Sequence, residues 1–187
     1  QGGRTVLGSF EEDLMGSRDN IERTVTVNSF YMDKTEITNL NWKEYVHFVQ
    51  KDSTQQFYET TLPIDEVWFG EFSFNDAYAE NYYSNPAFNK FPVVGVTWEQ
   101  VADFSTWRTQ FLNDLIRNDV GLSDTLSKQE LIERGVSMPE FRLPNEAEWE
   151  YAAKATVGTQ YLDENEEYGR VYPWDGRGVR NPYGKKR

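Results

Sequence analysis

"FRLPNEAEWEYAAKA", residues 141–155, joins an arginine and a proline to a run of glutamates and alanines that reads as the start of a helix. Pro144 excludes helix at residue 143 and before, because its ring crowds the preceding backbone. Asn145 is a good N-cap, and Glu148 stands three positions on, where its carboxylate reaches back to the cap. Glu146 adds negative charge near the positive end of the helix dipole. Ala147, Tyr151 and Ala152 share one face, and Trp149 and Ala153 another. The alanines admit a close neighbour and the aromatics wedge against it, so the stretch reads as scaffold, not as the edge of an active site.

Upstream, "TVTVNSFYM", residues 24–32, alternates, with Val25 and Val27 on one face and Thr24 and Thr26 on the other: a strand. In "TEITNLNWKEYVHFV", residues 35–49, Trp42, Tyr45, Val46 and Val49 recur at helical spacing, and Thr38 or Asn39 can cap the start. Residues 51–92 read as a long ordered loop with short elements at most, punctuated by Asn85-Pro86 and Phe91-Pro92. "PVVGVTW", residues 92–98, reads as a short strand running into a turn. Thr97 and Gln100 form a capping box for a helix over Trp98–Arg117. Its apolar face carries Val101, Phe104, Phe111, Leu112 and Leu115. Arg108 falls on that face, so it is either paired or snorkelling. Ser127 with Glu130 caps a short helix ending at Gly135, and no internal repeat appears.

The 187 residues suffice for one domain with a real core; 38% are hydrophobic and 16% aromatic, which predicts a core rich in Trp, Tyr and Phe whose polar tips need partners. A net charge of −12 argues against nucleic acid and against direct docking to anionic lipid. The basic "GKKR" at 184–187, beside Arg177 and Arg180, reads as a solvated end. With no cysteine, the chain holds no disulfide, thiolate nucleophile, zinc-thiolate site or lipobox cysteine. No stretch approaches the roughly 18 apolar residues of a membrane span. No signal peptide is read, and "QGGRTVLGSF" reads as the opening of a processed or partial chain.

Candidate chemistry is sparse. His47, the one histidine, reads as a packed or surface residue, and a three-histidine metal site is excluded. Acidic neighbours abound, at Glu11/Glu12/Asp13, Asp65/Glu66, Glu146/Glu148/Glu150 and Glu164/Glu166/Glu167, but 31 acids make such pairs an expected coincidence. "DENEE", 163–167, lacks the spacing of a calcium loop. "GGRTVLGS", 2–9, matches no phosphate-binding pattern and reads as a turn or strand edge. No G-x-S-x-G element exists. The aromatic stretch "VWFGEFSFNDAYAENYY", 67–83, can face a carbohydrate, a peptide or a protein through Trp68, Phe69, Phe72, Phe74, Tyr78, Tyr82 and Tyr83. The competing reading has the same rings pin the loop to the core.

The order "FYMDKTEITNLNWKEYV", "FPVVGVTWEQVADFSTWR", "FRLPNEAEWEYAAKA", "YPWDG" resembles the sulfatase-modifying-factor family. The resemblance implies an α+β, irregular, loop-rich formylglycine-generating-enzyme fold, related to C-type lectin-like domains. Residues 1–187 are then expected to be a single domain corresponding to the N-terminal portion of that fold, with the C-terminal part absent. Its fold-signature positions are Asp33, Glu36, Thr38, Asn39, Trp98, Arg142, Pro144, Glu146, Glu148, Trp149, Glu150 and Trp174. The family likeness also implies internal polar ties between Arg142 and Glu146–Glu150, including a buried arginine–carboxylate tie. On that footing Arg142→Ala and Trp149→Ala are expected to unfold the domain.

Enzymes of the family use a copper-binding cysteine pair. This chain has no cysteine, and Ser105 stands where relatives often carry one. The resemblance therefore implies no catalytic residue, metal or cofactor in this part of the chain, with calcium expected only in the absent C-terminal part. "FYMDKTEITNLNWKEYV", the aromatic stretch and "YPWDGRGVRNP" look most like gliding-motility lipoproteins of the type 9 secretion machinery. That likeness implies a non-enzymatic subunit at the periplasmic side of the outer membrane. Its implied partners are a GldK-like ring and associated lipoproteins, with no nucleic acid, and with membrane contact only through a lipid anchor not present in this chain. Residues 66–83 are the expected partner surface. The alternatives are an enzyme of the formylglycine-generating or iron-dependent sulfoxide-synthase type, with ligands in the absent C-terminal part, and a carbohydrate or small-ligand module.

Overall fold

The structure, a computed structural model, describes residues 2–8, 21–69, 74–120 and 127–153. Phe72, Trp174, the acidic runs 11–13 and 163–167 and the basic positions of 177–187 lie outside the described residues. The described residues form an α+β, loop-rich fold with six α-helices and one two-stranded sheet. The chain divides into two compact units, residues 1–32 with 144–187, and residues 33–143.

In the first unit, β1 (Gly3–Leu7) pairs antiparallel with β2 (Arg23–Val27), with Thr5 opposite Val25 and Leu7 opposite Arg23. The segment read as a turn or strand edge is thus a full partner strand. Thr5, Leu7 and Val27 are buried, as alternation across a pleated strand requires. Helix α6 (Glu146–Ala153) opens as its sequence dictates. The Asn145 side chain accepts from the Glu148 amide at 2.9 Å, and the Glu148 carboxylate accepts from the Asn145 amide at 2.9 Å. The Glu150 carboxylate accepts from the Gly8 amide at 3.3 Å, tying the helix to the end of β1. Tyr151 is buried; Trp149, expected to wedge the helix, is instead 61% exposed. Successive helical residues turn by about 100°, so a helix that buries Glu148 and Tyr151 turns Trp149 outward.

The second unit is built around α1 (Asn39–Asp52) and α4 (Trp98–Val120). Thr38 and Asn41 form a capping box at the start of α1. The predicted stripe holds: Trp42, Tyr45, Val46 and Val49 are all buried and pack with Phe104 of α4. Trp42 stacks on Phe104 at 5.1 Å, Tyr45 meets Phe104 edge-on at 5.5 Å, and the Trp42 indole donates to the Thr61 carbonyl at 3.0 Å. Each such ring contributes about 1.5–3 kcal/mol by burial. Trp98, a signature position, begins α4 with 69% of its surface exposed.

Between these helices the chain makes α2 (Gln55–Thr61), a 3₁₀ turn at Asp65–Trp68, α3 (Asp76–Asn81) and a second 3₁₀ turn at Pro86–Phe88. The expected strand in "PVVGVTW" does not form. Pro92 makes a single antiparallel bridge with Thr38, and Val93 donates to the Ile37 carbonyl at 2.9 Å. Gly95 then turns the backbone at φ +81, a conformation glycine adopts without a Cβ penalty. Its carbonyl accepts from the Ile64 amide at 2.7 Å. The Thr97–Gln100 box does form, and the same Gln100 amide group donates to the Thr60 and Leu62 carbonyls at 2.7 and 3.1 Å. A short helix α5 (Lys128–Glu133) carries the predicted Ser127–Glu130 box and is capped at Arg134, one residue before Gly135, which has φ +67.

Candidate functional site

Two features of the second unit carry chemistry. The first is an aromatic layer. Trp68 stacks on Tyr78 at 5.4 Å and lies 4.8 Å from Tyr82, which in turn lies 5.2 Å from Phe88. Tyr82 is buried, and its hydroxyl donates to the Pro92 carbonyl at 2.7 Å. Burial, and secondarily the charge of Glu36, raise its pKa. Tyr83 packs against the main core, with its phenol pushed up to about 12 by burial and Lys43 lying 5.4 Å over its ring. For these two tyrosines the rings pin the loop. Phe69, Phe74 and Tyr78 are exposed, Phe74 to 96%. The candidate surface therefore narrows to these three rings, of which Tyr78 packs on the layer fixed by Trp68 and Tyr82.

Asn39 locks that layer to α1. It is fully buried, and its amide group donates to the carbonyls of Tyr82 and Phe88 at 3.3 and 3.0 Å. Backbone bonds from Asn39 to Phe91 and from Leu40 to Asn89 complete the seam, at 2.9 and 3.0 Å.

The second feature is an open groove of about 250 Å³ between the segment entering α1 and the face of α4. Arg108, expected to be paired or snorkelling, is paired. Its guanidinium donates to both carboxylate oxygens of Asp33, at 2.5 and 3.0 Å, and lies 4.2 Å over the Phe141 ring. Those hydrogen bonds hold the Asp33 carboxyl below its ordinary range; partial burial opposes them and the ion-pair attraction adds to them. Trp107 and Phe111, stacked at 5.3 Å, form the apolar wall, and Glu36 and Glu44 stand at the polar side. Trp107 and Glu44 were not singled out from the sequence, and Phe111 only as part of the apolar face of α4. The one available signal was the arginine on an otherwise apolar helix face.

The other signature residues have local roles, each within its own unit. Arg142 is exposed, and its guanidinium donates to the Leu143 carbonyl at 3.0 Å, so the buried arginine–carboxylate tie expected of it is not realised as a buried one. Glu146 pairs instead with Arg23 at 2.9 Å, with both side chains largely exposed. Pro144 is half-buried ahead of the α6 cap, Glu36 is exposed, and Thr38 serves as the α1 cap. His47 is exposed. Among the described residues no three His, Cys, Asp or Glu side chains gather as a metal-ligand set, and no helix is long and apolar enough to cross a membrane.

The family model for the sulfatase-modifying factor enzyme 1-like domain matches residues 1–186. No curated protein and no solved structure matches the chain.

Proposed function

The chain belongs to the family of sulfatase-modifying factor enzyme 1-like domains, and we propose that within it the protein is a non-catalytic interaction subunit of a bacterial outer-membrane-associated assembly for type 9 secretion and gliding motility, a GldJ-like member. The observation that carries this reading is the exposure of three aromatic rings, Phe69, Phe74 and Tyr78, the last of them stacked on Trp68 in a layer tied down by Tyr82 and Asn39. Rigid exposed aromatics lose little entropy on binding and are typical interface anchors. The lack of cysteine in the 187 residues supports the non-catalytic assignment, since a copper-binding cysteine pair has no source among them. The partners under this reading are the ring-forming and lipid-anchored subunits of the machinery, reached in the periplasm.

The test is affinity isolation of the native protein from its envelope, followed by identification of what co-purifies. Secretion or gliding components are expected, and the triple variant Phe69→Ser, Phe74→Ser, Tyr78→Ser is expected to lose them while keeping its melting temperature. Recovery of the protein alone, with a bound copper or iron ion, would overturn the proposal.

A further inference from the structure

We propose that the groove between residues 33–37 and α4 binds a lysine or arginine side chain of a basic segment on a partner protein. The groove holds about 250 Å³, below the roughly 300–1,000 Å³ of a small-molecule or cofactor site, and it is open along one side. That size suits one long side chain better than an enclosed ligand. Its lining carries three carboxylates, Asp33, Glu36 and Glu44, against two cations, Lys34 and Arg108. Asp33 is already neutralised by Arg108. Among the described residues neither Glu36 nor Glu44 has a hydrogen-bond or ion-pair partner, yet both line the groove. The stacked rings of Trp107 and Phe111 line the same groove. Carboxylates facing aromatic surface recognise a cation on an apolar stem: the charge meets the carboxylates, and the stem and π-face pack together. Arg108 lying over Phe141 at 4.2 Å shows the same pairing inside this unit.

The chain that leaves the groove at Ile37 bridges Pro92 through Thr38 and donates from Asn39 to the Tyr82 carbonyl at 3.3 Å, while the Tyr82 hydroxyl donates to the Pro92 carbonyl at 2.7 Å. The groove and the layer are therefore adjacent, and one partner segment can engage both. The net charge of −12 steers a basic segment toward this chain. The inference rests on the interaction-subunit reading only for where the basic segment comes from.

The experiment is a two-dimensional NMR titration of the 187-residue chain with an acetylated, amidated pentapeptide carrying two arginines. The control is the same peptide with neutral citrulline in their place. Saturable binding is expected with the arginine peptide alone, with shifts confined to residues 33–44 and the Trp107 indole. The double variant Glu36→Gln, Glu44→Gln, both exposed in the fold, is expected to melt unchanged and to bind at least tenfold more weakly. Equal binding by that variant, or shifts that map to the acidic run 163–167, overturns the proposal. Peptide binding in the groove without co-purifying secretion components leaves the groove standing and removes the assembly reading; co-purification with an inert groove does the reverse.

Discussion

Arg108 and Asp33 are 75 residues apart in sequence, yet the guanidinium of one grips both carboxylate oxygens of the other. The contact binds the chain entering α1 to the middle of α4. Both side chains keep solvent access, so the pair contributes less than a buried one. A two-point exposed pair with a cation–π contact is worth about 1–2 kcal/mol. Arg108→Met is expected to lower the melting temperature by roughly 2–8 °C, and a double-mutant cycle with Asp33→Asn to show coupling of about 1 kcal/mol. The Asp33 carboxyl titrates below its ordinary value of 3.8. Its contribution is therefore complete above that value and is lost as pH falls through the lower, folded-state value. The acid arm of the stability curve should flatten in Asp33→Asn, and an unchanged arm would count against the pair.

Asn39→Ala should be among the most damaging single changes in the second unit. It strips the donor from the Tyr82 and Phe88 carbonyls, at roughly 1–3 kcal/mol for each acceptor left buried and unsatisfied. Asn39→Asp should be no better, because a carboxylate would face the same two carbonyl oxygens. Denaturant melts that show either variant within about 0.5 kcal/mol of the parent would refute the seam.

In α6 the two aromatics should behave oppositely. Tyr151 is 1% exposed, and its truncation to Ala should cost about 3–5 kcal/mol. Trp149→Ala should cost under about 0.5 kcal/mol, as surface substitutions do. Thermal melts of the two variants decide this, and comparable losses would mean that Trp149 is covered in solution.

Gly95→Ala should destabilise by at least about 2 kcal/mol. The left-handed backbone alone costs a non-glycine residue about 1–2 kcal/mol. A Cβ there would also fall 2.3 Å from the Ile64 carbonyl oxygen. A melting temperature equal to the parent's would show that the turn relaxes freely.

What the sequence disclosed was what its local chemistry determines. The α1 stripe is a period of side chains on one helix, and the boxes at Thr97, Ser127 and Asn145 are bonds between residues three apart. Helix α2 was illegible because seven residues, QQFYETT, show no apolar period. "PVVGV" looks like a strand because its valines are apolar; Val93 and Val96 do pack on the core, but the kink at Gly95 spends its hydrogen bonds singly on different neighbours. In the candidate site, Arg108 betrayed the need for a partner but not which one, since Asp33 is distant in sequence. The exposure of Trp98 and Trp149 was equally hidden, because a helical position does not announce which face meets a neighbour. Among the loop aromatics, composition could not separate Tyr82, whose hydroxyl is satisfied inside, from Phe74, which stands in solvent.

The bond between Ile64 and Gly95, with Gln100 holding Thr60 and Leu62 just before it, makes the chain leave and return to the α1–α4 frame through a narrow neck. Beyond that neck the chain from Tyr82 to Val93 is bonded back to α1 and its entry, so only residues 65–81 can change length at little cost to the frame, since doubling a closed loop adds only about 0.6 kcal/mol of closure entropy. That part of the aromatic stretch is thus a cassette: its size and recognition can change while the helices that carry it stay the same.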